Sequence, residues 1–219
     1  MTTPRATQYR TARYSRLILL LATVLVAEAC STDITVNGDY PSALTKKLPH
    51  HVGLLLDDTF SHYTFESSEE QDVSMALGQS QVELFNQMFN DMFTNSSRLN
   101  SMSKASTSKV DLIVIPHIEE VQLAMPFETR LNVFEVWLKY NLQVFDSNGE
   151  PIADWLMTAY GKTQSRLLTS EKEALNQATT EALRDTGVRL VTGFHRVPEI
   201  RAWLASQQAS AALTQGRGQ

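Results

Sequence analysis

From Phe134 to Phe145 the chain alternates without a break. Phe134, Val136, Leu138, Tyr140, Leu142 and Val144 interleave with Glu135, Trp137, Lys139, Asn141, Gln143 and Phe145. Successive side chains of a strand point to opposite faces, so this period describes a long strand with one core face and one mostly wet face. Asp146-Ser147-Asn148-Gly149-Glu150 follows. Asn-Gly supplies the positive φ angles of a tight turn, so the strand returns as a hairpin over about residues 152–161. The return is less clean, with Trp155, Met157 and Ala159 on one face and Leu156, Thr158 and Tyr160 on the other.

Around this hairpin the other elements are shorter. His51-Val52-Gly53-Leu54-Leu55-Leu56 is an apolar run stopped by Asp57-Asp58, a pattern that suits a strand buried on both faces. Residues 61–72 are polar. Residues 74–93 predict a helix, because Val82, Phe85, Phe89 and Met92 recur at spacings of three and four. Residues 94–108 are rich in Ser, Asn and Thr and predict a loop. Val110 to Ile115 predicts a strand that stops at Pro116 or lies at an edge, since proline has no N–H for a ladder; Ile118 to Met125 extends it in another direction. Ser170 and Glu173 form a capping box for a last long helix, whose Leu175, Ala178, Ala182 and Leu183 make a small-residue face for close packing on a sheet. Pro198 opens a further short helix, docked through Ile200, Trp203 and Leu204. The expected fold class is α/β (α+β): a mixed sheet of about four to five strands with a long antiparallel hairpin, packed by two main helices.

The first thirty residues have another character. Arg5, Arg10, Arg13 and Arg16 precede an apolar run from Leu17 to Ala27, interrupted by Thr23, and Ala29 and Cys30 follow. A basic start, a short apolar stretch and small residues are the parts of a secretory signal. The run is about half of the roughly 20 residues that a spanning helix needs. Cys30 is the one cysteine of the 219 residues and stands where a signal is cut. Val26-Ala27-Glu28-Ala29-Cys30 resembles the lipobox of bacterial lipoproteins, with Ala27 and Glu28 where leucine and a small residue are usual. The resemblance implies a diacylglyceryl group on the Cys30 thiol; the plain alternative is a signal cut after Ala29 that leaves a free thiol. Ser31, rather than aspartate, follows the cysteine, which by the same resemblance favours the outer membrane. Without the leader the chain keeps 15 basic and 23 acidic side chains, a net charge near −8 that disfavours nucleic acid. The organisation read from these features is a signal over 1–29, a lipidated tether over 30–49, an α/β periplasmic domain over 50–205 and a flexible tail over 206–219.

Chemistry is scarcely signalled. His50, His51, His62, His117 and His195 show no metal-ligand spacing, and no GxSxG, P-loop or GxGxxG occurs. Asp57-Asp58 ends a strand, where sheets place ligands but where acids also cap turns. We therefore expect no catalytic residue, no metal and no cofactor. Trp137 points away from the core face of its strand. It marks a candidate partner surface if that face is bare, and core if helices cover both faces. Met88, Phe89, Met92 and Phe93 would line a pocket if the protein carries a lipid or a small apolar ligand.

The order of these elements is similar to the small α/β domain shared by several outer-membrane lipoproteins, including the curli secretion-channel lipoprotein and the lipoprotein activator of penicillin-binding proteins. The amino-terminal domain of the Tol translocation protein is also similar. The resemblance spans roughly residues 50–195. It implies a non-enzymatic, outer-membrane-anchored lipoprotein on the periplasmic side, an accessory or assembly factor that binds envelope proteins or forms homo-oligomers.

Overall fold

A computed structural model describes residues 32–67, 72–104, 108–128, 132–165 and 170–216. In chain order these form β1 (Thr32–Thr35), β2 (Leu48–Leu55), α1 (Asp58–Ser61), β3 (Thr64–Ser67), β4 (Val73–Ala76), α2 (Gly78–Met92), β5 (Phe93–Leu99), β6 (Leu112–Ala124), β7 (Val133–Asp146), β8 (Pro151–Gln164), α3 (Glu171–Gly193) and α4 (Pro198–Gly216).

The main sheet has the order β5-β2-β6-β7-β8. β2 pairs in parallel with β5 and β6, and β6, β7 and β8 form an antiparallel meander. Burial along β7 follows the alternation of the sequence, and Phe134, Val136, Leu138, Tyr140, Leu142 and Val144 are fully buried. The hairpin turn is built as expected: Asp146 accepts hydrogen bonds from the Asn148 and Glu150 backbones, and Gly149 has φ of 87°.

A second sheet of three strands, in the order β1-β4-β3, adds to the single sheet expected. Its strands have four residues each, too short for a period of two to stand out against the neighbouring helix pattern. Thus Met75, read within the start of a helix, lies with Val73 on the buried face of β4, and α2 begins at Gly78. The stretch read as a tether contributes β1, and its Ile34, Val36 and Tyr40 are buried. Residues 93–99, read mostly as loop, form β5. This edge strand has buried Phe93 and Leu99 at its ends and polar residues between. β6 runs through Pro116 to Ala124. β2 pairs with it only from Leu112 to Val114, so from Ile115 onward that edge of β6 has no strand partner among the described residues and tolerates a residue without an N–H. Residues 206–216, read as tail, continue α4.

The core lies between the main sheet and the layer made by α2, α3 and the small sheet. Phe85, Phe89 and Phe93 stack in a row, and Phe194 meets the last two edge-on at 5.7 and 5.8 Å. Such ring pairs contribute about 1 kcal/mol each beyond their buried area. The Tyr140 hydroxyl, wholly buried, donates to Gln81 Oε1 at 3.2 Å, and Gln81 Nε2 donates to the Phe60 carbonyl. A small second core of Leu99, Val110 and Ile113 lies on the opposite face of the sheet, under the connection from β5 to β6.

The helix α3 reaches the sheet through small residues. A Cβ on Gly161 of β8 would stand 2.1 Å from the Ala178 carbonyl oxygen and 2.3 Å from the Ala182 nitrogen. Both neighbours are helix backbone and cannot give way. Gly161→Ala is expected to destabilise the fold by about 3 kcal/mol, read as a lower midpoint in urea unfolding.

Candidate functional site

The helices α2 and α3 occupy one face of the main sheet, so most of the other face of β6, β7 and β8 carries no helix among the described residues. Strand register assembles that face row by row. Glu135 lies between Ala124 and Lys162, Trp137 between Gln122 and Tyr160, Lys139 between Glu120 and Thr158, and Asn141 between His117 and Leu156. Directly opposed residues of antiparallel strands share a face, so these side chains form one surface.

Its centre is aromatic. The rings of Trp137 and Tyr160 lie 5.1 Å apart at 40°, both half-buried. The Tyr160 hydroxyl donates to Glu135 Oε1. Burial, together with that carboxylate, pushes the Tyr160 phenol up to about 12. Lys139 and Glu120 form an ion pair at 3.7 Å, and His117 Nε2 lies 3.3 Å from Gln143 Oε1. Leu156 is 58% exposed at the rim. Rings, an aliphatic side chain and balanced charges on a bare sheet face suit contact with another protein surface. Trp137 lies on the face of β7 away from its buried row, half-buried, with Tyr160 as its ring partner. Sequence reasoning placed Trp137 but missed Tyr160, because the return strand alternates poorly and its partner across the sheet is set by register.

The other candidates disperse. Asp57 caps α1 by accepting from the Phe60 backbone at 2.7 Å, so this acid serves a turn. His50 meets Trp203 at a tilt of 55° with centroids 5.2 Å apart, His51 bonds Ser97, and His62 bonds the Asp58 carbonyl. Among the described residues no three His, Cys, Asp or Glu side chains converge as a metal would require. Cys30 lies outside the described residues. Met88, Phe89, Met92 and Phe93 all belong to the core, and Met88 and Met92 also floor two open hollows of about 260 and 250 Å³ beside Leu44, Leu48, Val188 and Val191. A more polar hollow of about 440 Å³ lies between Ser61, His62, Gln79 and Arg98.

No family model and no curated protein matches the chain. Among solved structures, protein XCC0632 from Xanthomonas campestris, of the DUF330 family, is similar over 82% of this chain and 99% of its own, with 9% identity and a TM-score of 0.52. A likeness at that identity shows a shared fold. A putative neuraminyllactose-binding hemagglutinin homolog from Helicobacter pylori gives a TM-score of 0.44 at 12% identity, covering 81% of this chain and 100% of its own. A minor lipoprotein from Acinetobacter baumannii gives 0.41 at 12% identity, covering 67% and 90%.

Replacing Glu135 with Gln removes the charge that opposes ionisation of Tyr160. The phenol is expected to titrate lower than about 12 but still above the usual 10, as read by near-ultraviolet absorbance. Because the folded value is the higher one, the pair stabilises the fold at every pH below the unfolded phenol's value. That contribution is lost as pH rises through about 12.

Proposed function

We propose that the chain is a bacterial envelope lipoprotein, tethered through acylated Cys30 and acting without catalysis as an accessory or assembly factor that binds envelope proteins. The observation that carries the reading is the helix-free sheet face centred on Trp137 and Tyr160. The lipobox-like segment before Cys30 supplies the address, and Ser31 favours the outer membrane, periplasmic side. The resemblance to the curli channel lipoprotein and to the activator of penicillin-binding proteins supports assembly with protein partners or with further copies. An acyl anchor restricts diffusion to a plane, which raises the effective concentration of a membrane-held partner and makes a modest interface sufficient.

A second reading, a carrier of a lipid or other small apolar ligand, has one observation in its favour: Met88 and Met92 floor apolar hollows at the surface. Saturable binding of a fluorescent fatty acid, lost in Val188→Asp, would support it.

The main reading makes two linked predictions. Cys30→Ser abolishes incorporation of labelled palmitate and releases the mature chain from the membrane fraction. A photo-crosslinker at position 137 in living cells yields a discrete protein adduct, whereas one at Asn148 in the β7–β8 turn does not. Absence of any adduct from 137, 156 and 160 alike would overturn the binding role.

A further inference from the structure

The strand β7 ends in two turns of opposite character. At its carboxyl end is the polar Asp146–Glu150 turn; at its amino end, about 45 Å away for a strand of this length, is the β6–β7 connection. The described part of that connection, Met125 to Glu128, is held back on itself: the Glu128 N–H donates to the Met125 carbonyl at 3.0 Å, and the Met125 N–H donates to the Glu128 carboxylate. Met125 is buried, and Phe127 is left 53% exposed beyond it.

The entry of the chain selects between these ends. Ala178 and Ala182 of α3 lie at Gly161 of β8, and Gly193 lies at Trp155, so α3 runs antiparallel to β8 and starts at the Phe127 end. Asn37 accepts from Thr180, Asp39 from Arg184, and residues 40–44 line the hollow beside Gly187 to Thr192. The chain from residue 37 to 44 therefore follows α3 away from the Phe127 end. β1 precedes this run, with Ile34 paired to Met75, whose sulfur lies 3.6 Å from Thr179 Oγ1. Thr32 thus sits on the Phe127 side of the domain. Cys30 is two residues earlier, a reach of at most about 7 Å.

We infer that the domain stands on the membrane by the end that carries the β6–β7 turn, with Phe127 entering the headgroup layer as a second contact beside the lipid anchor. The inference rests on acylation of Cys30. A bilayer is the occupant because a lipid on Cys30 holds the Thr32 side of the domain close to it, and an aromatic side chain on a proline-bearing turn suits the interface. Among the described residues at this end, Glu66, Asp72, Glu128, Glu171 and Glu173 outnumber Lys162 and Lys172, so charge does not draw the body down. The contact is apolar and local. The polar Asp146–Glu150 turn is held outward, toward the periplasm.

The test uses the acylated mature protein in phosphatidylcholine vesicles. Phe127→Cys and Asn148→Cys are each labelled with an environment-sensitive fluorophore, the native cysteine being blocked by its lipid. We expect blue-shifted emission at 127 with at least a twofold loss of intensity on adding spin-labelled lipid, and water-like, unquenched emission at 148. Protein that floats with the vesicles while 127 stays water-like, or while 148 is the quenched position, overturns the orientation and leaves the lipoprotein reading intact. Protein that carries no acyl group and does not float overturns both.

Discussion

The close approach of α3 to β8 is the contact on which the rest of the architecture depends. Gly161 lets helix backbone come within van der Waals reach of strand backbone, and Ala178 and Ala182 keep the helix side equally thin. At the other end of the same pair Gly193 makes room for the Trp155 ring. Side chains of ordinary size at these points would lift the helix off the sheet and open the core beneath it. With α3 seated, Leu175, Ala178, Ala182, Leu183 and Leu190 are fully buried, and α2 packs beside it over the aromatic row.

One-sided packing has a direct consequence for function. A sheet covered on one face presents the other to its surroundings, and this one presents a paired Trp137 and Tyr160 rather than charge alone. Among the described residues, the connection from β5 to β6 packs on that face around Ile113, Ile115 and Phe145. The remainder is organised by cross-strand pairs whose geometry the meander holds rigid. Side chains already held by their neighbours have little conformational entropy left to lose.

The small sheet β1-β4-β3 gives the entry of the chain a fixed place. With Ile34, Val36 and Tyr40 buried, the chain from Thr32 onward is part of the folded body rather than a loose connection to it.

The local signals in the sequence determined a good deal. Unbroken alternation specified β7 and its two faces, Asn148-Gly149 specified the hairpin, and Ser170 with Glu173 the start of α3. These are properties of neighbouring residues, whose periods and turn geometries are read at short range. Tertiary structure alone decided that the second sheet exists, since four-residue strands have no period of their own and form only where partners satisfy their backbone. It alone decided that Pro116 lies inside a strand, because the free edge beside it depends on how far β2 reaches. And it alone decided that Trp137 meets Tyr160 on a bare face, because which residues oppose each other, and which face a helix covers, is fixed by strand register and by where Gly161 lets α3 come to rest.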